Sequence, residues 1–311
     1  MSRSPTMRSP LDARAALLLA LLFAPVQVLA QDSCGERDAP PGLLVSADWL
    51  RRHRSDSGFV LIQVERSRAP YDSAHIAGAR FVVTGDFTTR RGDILTELPA
   101  AESFQALLES LGVVGTGRIV LYGETLPVTR LFYTLDYFGL GDRVSVLDGG
   151  LPAWDSARGE VTSIPAPPAV RGTISLHPRP DLLADAAWVN SHRESKEVLL
   201  LDTRSPEEFD GTKSEEGVAR PGHIPGAVSF DWTTTIADGR FLERGALRQL
   251  FTAAGASPGK EVVTYCRVGS RASAVYFAAR LLGYRVRLYD GSMNEWSGKP
   301  ELPVVGPEKR P

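Results

Sequence analysis

The sequence predicts an α/β protein made of two similar domains, each a mainly parallel sheet flanked by helices. Two observations support this prediction: landmarks of the first half recur in the same order in the second, and short apolar runs alternate with helical patterns in both. A length of 311 residues suits two domains of ordinary size. The content of 43% hydrophobic and 23% charged residues is typical of a globular protein and argues against extended disorder.

The internal repeat begins with a tryptophan in each half, Trp49 and Trp188. Each tryptophan lies 14 residues before the polar residue that ends an apolar run, Gln63 or Asp202. Three further pairs of segments follow in the same order: His75–Ala79 with His223–Ala227, Arg118–Tyr122 with Glu261–Tyr265, and Leu147–Trp154 with Tyr289–Trp296. Chance explains such an ordered series poorly, so we expect the two halves to share one fold.

The second half shows the alternation of strands and helices most clearly. Short apolar runs predict four strands: Val198–Leu201, Val228–Phe230, Val262–Tyr265 and Arg285–Leu288. Apolar residues at helical spacing predict a helix over Ala272–Leu282. A shorter helix is predicted after Ser205, with Pro206 in its first turn and Glu208 closing a capping box. This alternation favours a parallel sheet covered by helices.

The first 30 residues are typical of a cleavable secretory signal. Three arginines, Arg3, Arg8 and Arg14, precede the apolar run 15–24, and the small-residue ending at 28–30 fits a cleavage site. The apolar run is too short to span a bilayer, although an uncleaved N-terminal anchor is the alternative. We therefore expect a periplasmic or secreted protein with no membrane attachment after signal cleavage.

Charge and cysteine content exclude several function classes. Thirty-five basic and 37 acidic residues leave no basic field for a nucleic-acid partner. Two cysteines are too few for a disulfide scaffold or a tetrahedral zinc site, and the five histidines lack ligand spacing, so we predict neither a metal nor a cofactor. A disulfide between Cys34 and Cys266 stays an alternative, because an oxidising compartment would permit it.

A proline-rich segment separates the two halves. Five prolines between positions 161 and 180 disfavour a helix and predict an extended surface linker. We accordingly place the first domain at 43–158, the linker at 159–180 and the second domain at 181–300.

The loop Cys266–Arg271 carries the strongest chemical signal. It lies between a predicted strand and a predicted helix, so its backbone N–H groups and the helix N-terminus point toward the thiol. Arg267 and Arg271 add positive charge, and Gly269 permits a backbone conformation that a side chain would hinder. These features favour a nucleophilic thiolate that reacts with a small anion. The alternative is a buried core cysteine beside solvent-exposed arginines.

Taken together, these segments resemble the tandem-domain rhodaneses, a family of thiosulfate and 3-mercaptopyruvate sulfurtransferases. The resemblance covers about residues 43–300, and four motifs carry it: Leu201–Arg204, Gly222–Ala227, Tyr265–Arg271 and Asp290–Trp296. It implies two rhodanese-like domains and thiosulfate sulfurtransferase activity. Cys266 would take the outer sulfur of thiosulfate as a persulfide and release sulfite. A thiophilic acceptor, such as cyanide or a thiol, would then take the sulfur.

The resemblance also implies roles for the residues around the cysteine. Arg267 and Arg271 would hold the sulfonate of the donor, and Arg204 would be a second anion contact. An arginine paired with a carboxylate is the alternative for Arg204. The loop backbone would stabilise the persulfide through its N–H groups, including those of Val268, Gly269 and Ser270. Asp202 and His223 are expected to support the structure and not to transfer protons.

The first half lacks these chemical groups. Gly123 stands in the position of the cysteine, and Glu124 puts an acid where the second half has Arg267. Gln63 and Glu65 replace the aspartate and arginine at the end of the matching strand. We therefore predict that the first domain is catalytically silent and serves as a packing partner that shapes the cleft.

Three other activities stay open on sequence grounds. A 3-mercaptopyruvate sulfurtransferase is the nearest, because Arg267 suits thiosulfate whereas Ser270 and Arg271 depart from the usual loop. A cysteine phosphatase or arsenate reductase fits less well, since only four residues separate the cysteine from Arg271. A non-catalytic carrier of sulfane sulfur is the third. For the thiosulfate sulfurtransferase we expect a monomer whose partners are a small-molecule donor, thiosulfate, and a thiophilic acceptor.

Overall fold

The computed structural model describes residues 42–307. The predicted signal peptide lies outside the described residues, as does Cys34 with its possible disulfide to Cys266. Within residues 42–307 we find no helix that is both long enough and apolar enough to cross a membrane. The same residues contain no group of three or more histidine, cysteine, aspartate or glutamate side chains arranged to hold a metal ion.

The first half begins with a short strand and ends with another beside the linker. Its strands are β1 (Leu44–Val45), β2 (Val60–Glu65), β3 (His75–Ile76), β4 (Arg80–Val83), β5 (Thr89–Arg91), β6 (Ile94–Glu97), β7 (Ile119–Gly123), β8 (Val144–Leu147) and β9 (Val161–Thr162). Its α-helices are α1 (Ala47–His53), α2 (Ala69–Ser73), α3 (Ala101–Ser110), α4 (Thr125–Tyr137) and α5 (Gly150–Ser156).

The second half repeats the main elements of the first. Its strands are β10 (Leu183–Ala184), β11 (Val198–Asp202), β12 (Val228–Ser229), β13 (Ile236–Ala237), β14 (Arg240–Phe241), β15 (Glu261–Tyr265) and β16 (Val286–Tyr289). Its α-helices are α6 (Ala186–His192), α7 (Pro206–Phe209), α8 (Arg244–Ala253), α9 (Ser270–Leu282) and α10 (Ser292–Trp296).

Each half contains a five-stranded parallel sheet, and the strand order is the same in both. The order is β1-β8-β7-β2-β4 in the first sheet and β10-β16-β15-β11-β12 in the second. Gln63 pairs with Tyr122 in the first sheet, as Asp202 pairs with Tyr265 in the second. The predicted fold class and the internal repeat are therefore confirmed.

The predicted elements of the second half are also confirmed. Each of the four predicted strands is observed with ends that differ by at most one residue. Helix α9 begins at Ser270, two residues earlier than predicted, and the residue before it, Gly269, has a left-handed conformation that interrupts the helix on that side. The capping box at α7 is present: the Ser205 hydroxyl accepts from the Glu208 N–H, and the Glu208 carboxylate accepts from the Ser205 N–H.

The hydrophobic core lies on both faces of each sheet. Leu61 and Ile62 are neighbours in β2 but belong to separate buried clusters, since successive side chains of a strand point to opposite faces. The larger cluster runs without interruption from the first half into the second. The two halves therefore share one core and do not fold as separate globules joined only by the linker.

Helices α4 and α9 form the centre of the contact between the two halves. The hydroxyl oxygens of Thr129 and Ser273 lie 3.0 Å apart across this contact. Two helical turns further along α4, the buried carboxylate of Asp136 accepts from the Tyr276 hydroxyl and from Arg280 Nε, both at 2.8 Å. The contact between Thr129 and Ser273 places the N-terminal end of α9, and with it the cysteine loop, beside the first half.

The proline-rich segment between Thr162 and Pro180 contains no helix or strand. It is attached along its length to the first half: the Ile164 carbonyl lies 3.1 Å from His75 Nε2, and the Gly172 N–H donates to the Glu109 carbonyl. The side chain of Ile174 is buried in the shared core. The segment is extended but packed along the first half.

Candidate active site

The site forms where the central strand β15 ends and helix α9 begins. Cys266 directly follows β15, at the carboxyl edge of the parallel sheet, where open α/β proteins place their ligand sites. Helix α9 has 13 residues, so its N-terminus carries a substantial positive partial charge toward the loop. Cys266 is 1% exposed, and the neighbouring Val268 is 8% exposed. The thiol is therefore held inside the loop with little surface in contact with water.

The side chain of Ser292 links the cysteine loop to the end of strand β16. Its hydroxyl accepts hydrogen bonds from the N–H groups of Cys266, at 3.1 Å, and Gly269, at 3.2 Å, and donates to the Tyr289 carbonyl at 2.8 Å. Ser292 also has a φ of +50°, an uncommon value for a residue with a side chain. The backbone of Met293 then donates to the Cys266 carbonyl at 3.0 Å. The segment after β16 therefore fixes the shape of the cysteine loop.

Several backbone N–H groups of the loop are left available to a ligand. Within residues 42–307, no protein oxygen accepts from the N–H groups of four residues: Arg267, Val268, Ser270 and Arg271. Unpaired N–H groups at a helix N-terminus bind anions well. The described part of the chain thus leaves these donors free for a negatively charged sulfur or oxygen atom.

Position 269 requires a glycine, both because of its backbone conformation and because no room exists for a Cβ atom. Its φ is +80°, and a Cβ added there would lie 2.5 Å from Asp290 Oδ1 and 2.8 Å from Arg130 Nη1. The first distance is well below any normal contact. The sequence-based expectation that a side chain would hinder this loop therefore has a specific cause, which is the buried Arg130–Asp290 ion pair behind it.

We expect Gly269→Ala to destabilise the protein more than Gly283→Ala does. Gly283 has nearly the same φ, +82°, but a Cβ added there meets nothing within 4 Å. The control should cost about 1 kcal/mol for backbone strain, whereas Gly269→Ala should cost about 1–3 kcal/mol more for the overpacking. Urea unfolding of both variants measures the difference. Equal losses would show that the ion pair does not restrict this position.

Arg271 is held by two carboxylates. Its guanidinium forms two hydrogen bonds with Glu208, at 2.7 and 2.8 Å, and one with Glu215, at 2.8 Å. Burial alone would lower the pKa of Arg271, but the hydrogen bonds to Glu208 and the charges of Cys266, Glu208 and Glu215 raise it overall. The Arg271 side chain is thus a permanent cation in the loop that holds Cys266.

The two carboxylates respond in opposite ways to this environment. Burial acts to raise the pKa of Glu208, but the hydrogen bonds from Arg271 outweigh it and bring the pKa to about 2. Burial and the neighbouring carboxylate of Glu208 raise the pKa of Glu215 above its ordinary value. Glu208 is therefore the fixed anion of the cluster, and Glu215 is the one whose charge is less tightly held.

Arg267 lies over the same acidic segment. Its Nε is 3.4 Å from Glu215 Oε2, and its Nη1 donates to the Glu216 carbonyl at 3.1 Å. The side chain is 31% exposed, so it remains partly open to solvent. Arg267 and Arg271 both lie beside the cysteine loop, as the sequence indicates, and Glu215 lies between them.

Arg204 is turned away from solvent and paired within the protein. It forms two hydrogen bonds with Asp202, from Nε at 2.9 Å and from Nη2 at 2.6 Å, and another with the Gly222 carbonyl at 2.7 Å. The side chain is 2% exposed. This geometry favours the alternative of an arginine paired with a carboxylate. It leaves Asp202 in the expected structural position.

His223 and Ser270 have local structural contacts. The His223 ring stacks on Phe209 at a centroid distance of 3.6 Å, and its Nδ1 lies 2.8 Å from the Phe209 carbonyl. Ser270 opens α9, and its carbonyl accepts from the Ser273 hydroxyl at 2.7 Å. His223 thus anchors the turn after α7.

The first half contributes directly to the cysteine loop. The Thr96 hydroxyl donates to the Val268 carbonyl at 2.5 Å, and the Leu95 N–H donates to Asn294 Oδ1 at 3.1 Å. Arg130 in α4 pairs with Asp290, two residues before Ser292, and both side chains are almost fully buried. The hairpin of β5 and β6 therefore packs on the active-site loop of the other half.

Sequence reasoning missed these supporting residues for identifiable reasons. The sequence predicts only a capping-box role for Glu208, and the Asp290–Trp296 motif indicates no role for Ser292. Neither Glu215 nor Arg130 stands in a motif of the repeat. Their contacts with the loop join residues that are far apart in sequence, so no local pattern indicates them.

The matching loop of the first half has a different chemistry. Gly123 occupies the position of the cysteine, with a φ of +128°. Gln63 donates to the buried Glu65 carboxylate at 2.9 Å, in the place that Asp202 and Arg204 occupy in the second half. Burial raises the pKa of Glu65. That this domain is catalytically inactive stays a prediction. Its loop contains neither a cysteine nor a pair of arginines.

Comparison with known proteins identifies both halves. The rhodanese-like domain matches residues 46–157 and 185–299. The sulfur carrier protein TtuD of Thermus thermophilus is 32% identical over 290 residues, 87% of this chain and 99% of the relative. A thiosulfate sulfurtransferase of Corynebacterium glutamicum is 31% identical over 283 residues, 86% of this chain and 92% of the relative.

A solved structure has a similar fold over most of this chain. The anaerobic ergothioneine biosynthesis enzyme from Chlorobium limicola, in complex with trimethyl histidine, has a TM-score of 0.77 at 25% identity. The match covers 85% of this chain and 70% of that chain. With both of its domains matched and sulfurtransferases among its relatives, the chain belongs to the rhodanese family.

Proposed function

We propose that this protein is a thiosulfate sulfurtransferase that carries the transferred sulfur as a persulfide on Cys266. The observation that supports it most is the position of Cys266 between β15 and α9, in a loop whose N–H groups are free and whose shape is fixed by Ser292. Such a loop stabilises a thiolate and, after reaction, the terminal sulfur of a persulfide.

The proposed reaction has two displacements. The Cys266 thiolate attacks the outer sulfur of thiosulfate, the S–S bond of the donor breaks, and sulfite leaves with the bonding electron pair. The new S–S bond places a sulfane sulfur on Cys266. Cyanide or a thiolate then attacks that sulfur, forming thiocyanate or a new persulfide, and the cysteine leaves as the original thiolate. No net oxidation or proton transfer to a general base is required.

The roles of the surrounding residues follow from the geometry. Arg267 and Arg271 are the cations nearest to the loop that remain partly exposed, so they are the contacts proposed for the sulfonate of the donor. Arg204 is left out of this role because its side chain is 2% exposed and pairs with Asp202 and the Gly222 carbonyl. The binding of an anionic donor thus rests on two arginines and on the loop backbone.

A second candidate function is sulfur carriage without rapid turnover. One similar protein is named a sulfur carrier, and the persulfide step is common to both functions. The two candidates differ only in the fate of the sulfur. A carrier would retain the persulfide until a partner protein arrives, whereas an enzyme would release it to cyanide or a small thiol at a steady rate.

Intact-protein mass spectrometry after incubation with thiosulfate tests the proposal. Protein treated first with reductant should gain one sulfur atom and lose it on addition of cyanide. A parallel sample with 3-mercaptopyruvate ranks the donors, and a gain with that donor alone would contradict the thiosulfate assignment. Steady formation of thiocyanate supports the enzyme, while a stable persulfide with a single turnover favours the carrier. No gain with either donor would refute both.

A further inference from the structure

Glu215 occupies a position that an anionic donor would need. Its Oε2 lies 2.8 Å from Arg271 Nη2 and 3.4 Å from Arg267 Nε. A single carboxylate oxygen therefore contacts both arginines of the site. The Glu215 side chain is 24% exposed, so it lies at the mouth of the site and not in the core.

We propose that Glu215 is a specificity-determining residue that acts as an internal competitor of anionic donors. This inference rests on the proposed function, because it takes Arg267 and Arg271 as the contacts of the donor. A sulfonate and a carboxylate present similar oxygen acceptors to a guanidinium. An anionic donor must therefore displace Glu215 before it can reach both arginines.

The charge balance of the site explains why this contact controls the choice of donor. Arg267 and Arg271 carry two positive charges, and Glu208 and Glu215 carry two negative charges. With Glu215 in place, the side chains beside Cys266 have no net positive charge to attract a dianion. The Glu215 carboxylate does not repel an uncharged donor, so it disfavours the binding of anions specifically.

The segment that carries Glu215 suits a side chain that moves. Residues 212–214 and 216–217 are exposed, while the main chain is anchored at both ends. The Lys213 N–H donates to the Glu207 carbonyl, and Asn294 Nδ2 donates to the Gly217 carbonyl at 2.8 Å. The Glu215 carboxylate can therefore leave the arginines by side-chain rotation, with the backbone in place.

Glu208 is a fixed part of the site and not a second competitor. Its carboxylate is 2% exposed, caps α7 through the Ser205 N–H and forms two hydrogen bonds with Arg271. Moving it would break the helix cap as well as the ion pair. Glu215 has no such second role in the structure, so its removal should change the anion site without unfolding α7.

Alkylation of Cys266 by a charged and an uncharged reagent tests this inference independently of sulfur transfer. Iodoacetate is an anion, and iodoacetamide is neutral but otherwise similar. In Glu215→Gln, the ratio of the iodoacetate rate to the iodoacetamide rate at Cys266 should rise by about tenfold, because one opposing charge is lost at short range. Peptide mapping by mass spectrometry separates Cys266 from Cys34, and thermal unfolding confirms that the variant is folded.

Glu207→Gln is the matched control. Glu207 precedes Glu208 in α7, is exposed, and has no hydrogen bond to either arginine. The substitution Glu207→Gln removes one negative charge from the same surface, so it controls for the change in net charge of the protein. Its rate ratio should remain within about twofold of the unaltered protein, because exposed charges are strongly screened. An equal rise in both variants would refute a specific role for Glu215.

Donor kinetics then separate this inference from the proposed function. In Glu215→Gln, the KM for thiosulfate should fall about tenfold with a smaller change in kcat, since competition affects binding of the donor. A raised alkylation ratio without thiosulfate turnover in either protein would leave Glu215 as an anion competitor and refute the donor assignment. An unchanged ratio in a folded Glu215→Gln protein would overturn the inference itself.

Discussion

Cys266→Ser is expected to lower the rate of sulfur transfer by at least about a thousandfold. A serine hydroxyl cannot form a persulfide, so the covalent intermediate of the proposed mechanism cannot form. Serine is slightly smaller than cysteine and keeps the backbone contacts with Ser292, which involve the N–H of residue 266 and not its side chain. Thiocyanate formation from thiosulfate and cyanide measures the loss.

Cys34→Ser is the control for this prediction. It removes the other cysteine, so it tests both a disulfide with Cys266 and sulfur transfer at a second thiol. The variant should keep the activity of the unaltered protein and still gain one sulfur atom from thiosulfate. Activity that persists in Cys266→Ser, or that disappears in Cys34→Ser, would contradict the assignment of the nucleophile.

Arg130→Met is expected to lower the free energy of unfolding by about 3–5 kcal/mol. Arg130 pairs with Asp290 through both Nη atoms, with Nη2 2.9 Å from Oδ2, and the two side chains are 1% and 4% exposed. Removing the arginine leaves a buried carboxylate whose remaining donor is the Leu98 N–H at 3.0 Å. Because Gly269 packs against this pair, activity should fall together with stability.

The matched control is Arg179→Met, since Arg179 also pairs with a buried aspartate. Its Nη1 is 3.4 Å from Asp136 Oδ1, but its side chain is 41% exposed, and Asp136 keeps its bond to Arg280. This variant should lose less than about 1 kcal/mol. Urea unfolding of both variants, followed by thiocyanate assays, checks the prediction. Similar losses of unfolding free energy in the two variants would show that the Arg130–Asp290 ion pair stabilises the protein no more than the partly exposed Arg179–Asp136 pair does.

The double variant Arg130→Met with Asp290→Asn separates the ion pair from simple loss of packing. When the carboxylate is neutralised as well, no uncompensated buried charge remains, so the combined loss should be smaller than the sum of the single losses. Additive losses would indicate that the two residues act independently. The ion pair joins α4 of the first half to the segment that holds the cysteine loop. Through this contact we expect the first domain, which has no cysteine between residues 43 and 158, to influence the site in the second.

The sequence alone was sufficient for features that depend on local pattern. Apolar runs and their spacing predicted the four main strands and the long helix of the second half, because burial on a sheet or helix face leaves a regular signature. The duplicated landmarks predicted two copies of one fold. The loop after Tyr265 predicted a reactive cysteine, since a cysteine between a strand and a helix with two nearby arginines is a chemical pattern in its own right.

Only the tertiary structure decided what the charged side chains do. Arg204, Arg267 and Arg271 look alike in sequence, yet the first is buried and paired with Asp202, whereas the other two remain partly exposed. The reason is physical: a guanidinium reaches several ångströms from its backbone, and its partner is set by which elements pack together. No pattern along the chain encodes that choice.

The same reason applies to the contacts that fix the loop. Glu215 is 56 residues from Arg271 in sequence, and Arg130 is 160 residues from Asp290. Such pairs exist because parallel strands bring their carboxyl ends to one edge and because α4 packs against α9. Thus the sequence determined where the proposed nucleophile, Cys266, lies along the chain and which residues surround it locally. The fold decided the charge around that sulfur, because charge at a point is the sum over all neighbours in space.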